Sequence, residues 1–144
     1  MMRPLYILSL AALLVACAGE PPAEPAPAKP VAKPAAEQPL PAYMRALDGQ
    51  LLGAPAGSDV ELALLAVDNR DRPLRLLGSL RLDGTGTALP FRLTFNPEAF
   101  PQDLRVELRA RVSQSGQLIQ RLAPRRIPAA ESQSLGALQL ETVP

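Results

Sequence analysis

The chain is 144 residues long and sets fifteen Lys and Arg against fourteen Asp and Glu, a net charge of +1, which argues against a nucleic-acid binder resting on bulk charge. It contains no His, no Trp and one Cys. The missing His removes most metal centres, every Ser–His or Cys–His nucleophile pair and any histidine pH switch, while a disulfide framework or an iron–sulfur site needs more than one Cys.

In chain order, the first segment is a short basic and apolar run. Arg3 precedes Leu5 to Ala16 (LYILSLAALLVA). This run is too short for a membrane-spanning helix, which needs about 20 residues, but fits the apolar region of a secretory signal. Residues 1–16 therefore read as a signal peptide. Leu14-Val15-Ala16-Cys17 resembles the bacterial lipobox, whose Cys becomes the first residue of the mature chain. Cys17 is expected to carry a thioether-linked diacylglycerol and an N-acyl chain such as palmitate, and multiple acyl chains anchor a protein stably to a bilayer. Ala18 after the Cys, rather than Asp, favours the outer membrane as destination.

Residues 17–42 read as a tether. Eight of the seventeen prolines fall within residues 20–41, a Pro/Ala-rich composition that cannot bury a core and is expected to be disordered. Extended as polyproline II, these residues would reach about 70 Å, at ~3.1 Å per residue.

Residues 43–144 form the folded domain, with twelve Arg, no Lys and eleven acids. The hydrophobic period is two. Residues 46–52 read as a first strand. Residues 60–67 (VELALLAV) fit a short helix capped by Ser58 or Asp59, or a strand buried on both faces, and their length favours the strand. In 74–82, Leu74, Leu76, Leu80 and Leu82 are expected on one face. Residues 91–96 alternate, as do 104–112, where even positions are apolar and odd ones charged. Residues 118–122 and 138–142 complete a set of about seven strands. Turn chemistry separates them at 68–73, 83–86 and 113–117, and Asn96-Pro97 and Phe100-Pro101 punctuate another crossing. The expected fold is all-β: an antiparallel two-sheet β-sandwich with a core of Leu, Val and Ala plus Phe91, Phe95 and Phe100.

No motif in this domain carries catalytic chemistry. Asp68, Asp71 and Asp83 are too widely spaced for a calcium loop. Gly84-Thr85-Gly86 lacks the following helix and Lys of a phosphate loop. Ser113 and Ser115 have no base nearby, and Glu98 and Asp103 show no pocket signature. The feature that stands out is arginine placement: Arg105, Arg109 and Arg111 share one strand face, and Arg121 follows after a hairpin, with Arg125 and Arg126 beyond it. Such a stripe is a candidate partner-binding face for an acidic peptide or a phosphate-bearing polymer, although Glu107 among the arginines also fits a plain solvated face.

The domain resembles the YbaY/YscW group of bacterial lipoproteins, described as type III secretion lipoprotein chaperones. The resemblance runs through Leu47–Leu51, Val60–Leu64, Leu89–Asn96, Leu104–Val112, Gly116, Leu118-Ile119 and Leu138–Leu140. It implies a β-sandwich lipoprotein without catalytic residues, and some members of the group are pilotins that escort a secretin subunit. The matched residues are structural, so no binding residue is carried over.

The expectation is thus a non-enzymatic, membrane-anchored envelope lipoprotein at the bacterial outer membrane, its domain facing the periplasm. It would bind, or assist assembly of, a secretin or another envelope protein. The alternative is a structural or stress-related outer-membrane lipoprotein with no secretin client. No metal, cofactor, nucleic acid or small-molecule substrate is expected.

Overall fold

The computed structural model describes residues 39–144. Cys17, its lipobox and most of the tether lie outside the described residues. Within them the chain is all-β apart from one short 3₁₀ turn. Eight strands follow in order: β1 Arg45–Leu52, β2 Asp59–Val67, β3 Pro73–Asp83, β4 Leu89–Phe95, β5 Arg105–Gln114, β6 Gln117–Leu122, β7 Arg125–Arg126 and β8 Gln133–Thr142. The 3₁₀ turn Pro97–Ala99 joins β4 to β5 and is capped by Asn96, whose side chain accepts a hydrogen bond from the Glu98 amide.

These strands form one sheet rather than the expected two. Its order is β3-β2-β5-β6-β8-β1-β4, with β7 paired to β5. The strand β8 makes this continuous, because residues 140–142 pair with β6 while residues 133–139 pair with β1. The β1–β8 pairing is parallel, so the expectation of a wholly antiparallel sandwich is also corrected. The sheet curls until its edge strands β3 and β4 meet around one core, an almost closed barrel.

The β1–β8 ladder slips between Asp48 and Gln50. There Gly136 adopts φ +68°, and a Cβ on Gly49 would stand 2.9 Å from the Gly136 carbonyl oxygen and from the Phe91 ring. The absence of a side chain lets the parallel strand and the aromatic ring approach together.

Alternation in β5 is as expected: Val106, Leu108, Ala110 and Val112 are buried. They meet Leu47 and Leu51 of β1, Val60, Leu62 and Leu64 of β2, and Phe91, Leu93 and Phe95 of β4 in one core. Residues 60–67 are the strand that their length favoured. β3 departs from the reading. The β2–β3 register shifts between Leu64, opposite Gly78, and Leu65, opposite Leu76. Leu77 is therefore an extra residue, a bulge that reverses the facing of the residues just before it, and a second step between Ala66 and Val67 leaves Leu74 as another extra residue. Leu77, Leu80 and Leu82 pack on the core, whereas Leu74 and Leu76 are 58% and 57% exposed.

The loops use their polar groups internally. Gly84 donates its amide to the Ser58 carbonyl at 2.8 Å, and Gly86 donates to Ala54 at 3.1 Å. These amides hold two loops together and are committed away from any phosphate. Asp68 accepts from the amides of Arg70 and Arg72 at 2.8 and 3.0 Å, a side-chain-closed turn. Those bonds, the one from Arg72 first, hold its carboxyl below the usual Asp range.

Candidate binding surface on the outer sheet face

Residues opposite one another in register share a face, so the outer surface can be built row by row. One row runs Arg81 (β3), Glu61 (β2), Arg111 (β5), Arg121 (β6), Glu141 (β8). The next carries the small side chains of Ser79 and Ala63 before Arg109. A third runs Leu76, Leu65, Glu107, Arg126. The small middle row leaves a trough between a charged row and one that is apolar at Leu76 and Leu65.

The trough deepens at the β6–β7 junction. Arg111 pairs with Arg121 and Leu108 with Arg125, so two residues of β5 face the three residues Leu122, Ala123 and Pro124. The extra residue bows the strand away, and Pro124 offers no amide to re-form the ladder. The result is a cavity of about 500 Å³ open to solvent. Ala63, Leu65, Ala123 and Pro124 give it apolar walls, and Arg109, Arg111 and Arg121 line it with Glu61 and Glu141.

Of the four arginines singled out from sequence, three of them line this groove and one does not. Arg105 turns to the β2–β3 turn: it pairs with the Asp71 carboxylate, donates to the Asp68 carbonyl at 3.1 Å, and stands 4.0 Å from Glu107. Arg109 also works structurally, since its guanidinium reaches Glu107 Oε2 at 2.9 Å and the Asp71 carbonyl at 3.2 Å. Together they strap residues 68–72 over the end of β5 and enclose Glu107, which is only 8% exposed. Burial of that carboxylate is tolerable because a cation flanks it on each side.

Arg111 is occupied too, its Nε 2.6 Å from Glu61 Oε2, while Arg81 reaches the other oxygen of Glu61 at 3.4 Å. Arg111 chiefly, with Arg81 assisting and against a desolvation cost, pulls the Glu61 carboxyl below its ordinary range. Arg121 is exposed and forms no ion pair among the described residues, although Arg111 and Glu141 stand opposite it in register. The groove therefore offers one uncommitted guanidinium beside an apolar floor. Arg125 and Arg126, named in the sequence only as neighbours, sit on β7 opposite Leu108 and Glu107. The apolar lining went unseen in sequence because Ala63 and Leu65 come from β2 and Ala123 and Pro124 from the distant β6–β7 junction.

Among the described residues the chain is a single curled sheet with an amphipathic groove on its outer face. The profile of the family described as type III secretion system lipoprotein chaperone (YscW) matches residues 50–127, more than half of the chain. The chain belongs to this YscW family. A solved structure of an alternative pilotin from the type II secretion system of Vibrio cholerae is similar, with a TM-score of 0.59 and 16% identity over 70% of this chain and 98% of the pilotin. A 9R-lipoxygenase from Cyanothece matches at a TM-score of 0.39 and 20% identity, covering 67% of this chain and 16% of the enzyme. No curated protein matches. The family is described as a chaperone and the similar structure as a pilotin, and neither description names a catalysed reaction.

Proposed function

We propose that this chain is a lipid-anchored, pilotin-type chaperone that holds a segment of a secretin subunit, or of a similar envelope protein, in the groove between Ala63 and Pro124. The observation that carries this reading is the groove itself: an apolar floor fitted to short side chains, with Arg121 free to pair with an acidic group. Membership of the YscW family supports the chaperone role, and the fold shared with a pilotin agrees with it. Acylated Cys17 would fix the protein at the outer membrane with the domain in the periplasm. The tether would then set the radius of search and raise the effective concentration for membrane partners.

The test is affinity purification of the full-length protein from envelope membranes of a bacterium that produces it, with Arg121→Glu and Cys17→Ser as parallel samples. Stoichiometric recovery of a secretin subunit, lost in Arg121→Glu while the variant stays folded and membrane-bound, supports the proposal. Recovery of the subunit unchanged by Arg121→Glu removes the groove from the mechanism. Absence of any specific partner removes the chaperone role. Extraction of Cys17→Ser into the soluble fraction supports lipid anchoring, and retention in the membrane refutes it.

A further inference from the structure

The edge of β3 is a second exposed surface, separate from the groove. Among the described residues β3 pairs with β2 alone. Gly78 presses against β4, where a Cβ would stand 2.7 Å from the Thr94 carbonyl oxygen. N-terminal to Gly78, residues 73–76 are all exposed, and Pro73, Arg75 and Leu76 pair with β2. The Pro73–Leu77 stretch therefore carries unpaired backbone groups on the side away from β2, about 16 Å of open edge at ~3.3 Å per residue.

Such edges are usually blunted by charge or shortness. Here Leu74 and Leu76, two of the four exposed large apolar side chains among the described residues, lie on it. The local charge is one-sided. Asp68 is taken by Arg72 at 2.7 Å and Asp71 by Arg105. Arg70 and Arg75 are exposed and have no ion-pair partner among the described residues. Free cations thus flank an apolar, unpaired strand.

We infer that the Pro73–Leu77 edge receives an extended segment of another protein by strand addition, and that this segment alternates apolar and acidic residues. Main-chain hydrogen bonds would supply affinity, the two leucines would cover apolar side chains, and Arg70 and Arg75 would select carboxylates. A second copy of this chain fits less well, because self-pairing sets Arg70 and Arg75 of one copy near the same cations of the other.

The probe is an acetylated, amidated heptapeptide of alternating glutamate and valine, with a lysine–valine peptide as counterpart. Each is added to the full-length protein in detergent, and amide hydrogen exchange is followed by mass spectrometry. With free glutamate peptide at ten times its Kd, amide exchange across 73–77 slows about tenfold, the ratio set by occupancy. The lysine peptide leaves exchange unchanged. The double variant L74E/L76E abolishes the protection, and R70E/R75E transfers it to the lysine peptide. All four side chains are exposed, so the fold survives these changes. No protection at 73–77, equal protection by both peptides, or protection confined to the groove strands overturns the inference. So does protection that rises with protein concentration in the absence of peptide, which would make the occupant a second copy.

Discussion

Gly78→Ala tests the way the sheet closes, because two arguments predict opposite signs. A glycine in a strand interior normally weakens the fold, and replacing it with alanine gains about 0.4–1 kcal/mol, chiefly by restricting the unfolded chain. At Gly78 the added Cβ would stand 2.7 Å from the Thr94 carbonyl oxygen and 3.1 Å from Leu93 Cδ2. The side chain of Leu93 can turn, but the carbonyl belongs to a strand held by its full pairing with β1. Relief therefore requires β3 to move off β4, which loosens Leu77, Leu80 and Leu82 from the core they cover. Overpacking of this kind costs about 1–3 kcal/mol, exceeding the entropic gain. For a domain of this size a net loss near 1–2 kcal/mol lowers Tm by about 5–15 °C. Urea denaturation should show a lower midpoint with an unchanged slope. Ser79→Ala, one residue along and facing solvent, should stay within about 0.5 kcal/mol of the parent. A Gly78→Ala protein as stable as the parent, or more so, would refute the close packing of β3 on β4.

Acid should weaken the fold through two identified carboxylates. The Glu61 and Asp68 carboxyls are both held below their ordinary values of 4.5 and 3.8; their contributions are present above those values and fade as pH falls through the folded-state pKa. Glu61→Gln and Asp68→Asn should flatten the stability-against-pH curve on its acid limb and leave the limb above pH 6 parallel to the parent's, read by urea midpoints from pH 2 to 7. Arg105→Ala should speed amide exchange at residues 68–72 and, by removing one of the two cations that flank buried Glu107, lower global stability by about 1–3 kcal/mol. Leu108→Ala, which removes a fully buried side chain, should cost about 2–5 kcal/mol in the same urea assay.

Much of the sheet was legible because burial on one face leaves a period-two trace. β5 reads directly: its even residues are core and its odd residues are charged. β2 was recoverable as a strand from its length, but the expected burial on both faces does not hold: Val60, Leu62, Leu64 and Ala66 are core, while Glu61, Ala63 and Leu65 line the groove. β8 was legible only in its second half. Gln133, Ser134, Leu135 and Gly136 carry no alternation, because that half is held by a parallel ladder to β1 with an irregular step. β7 is two arginines long and exists only by pairing with β5. Neither the parallel pairing nor the sharing of β8 between β1 and β6 leaves any mark on hydrophobic periodicity, so two separate sheets were the natural expectation.

The arginine stripe shows a related limit. Arg105, Arg109 and Arg111 do share a strand face, but only Arg109 finds its carboxylate, Glu107, on the same strand; the partners of Arg105 and Arg111 come from elsewhere in the chain. Glu61 lies on β2 and Asp71 on the β2–β3 turn, fifty and thirty-four residues away from Arg111 and Arg105. A column of like charge along one strand is therefore a poor guide to free charge. Cross-strand partners decide it, and they leave Arg121 as the available cation in the groove.

Both proposed contact surfaces arise where the ladder is interrupted. The extra residues Leu77 and Leu74 shift the β2–β3 register, and Leu74 and Leu76 stand out in solvent. The extra residue around Ala123 and Pro124 bows β6 from β5 and opens the groove. In each case the regular part of the same strand continues to serve the core: Leu80 and Leu82 beyond the first bulge, Leu122 and Ile127 on either side of the second. A bulge reverses side-chain facing locally without removing the strand from the sheet. Apolar residues can thus be moved from inside to outside at a chosen point while the core stays filled. This separates the two tasks in the sequence. Substitutions at alternating core positions should change stability first. Substitutions at the bulges and the residues they turn outward should change binding first.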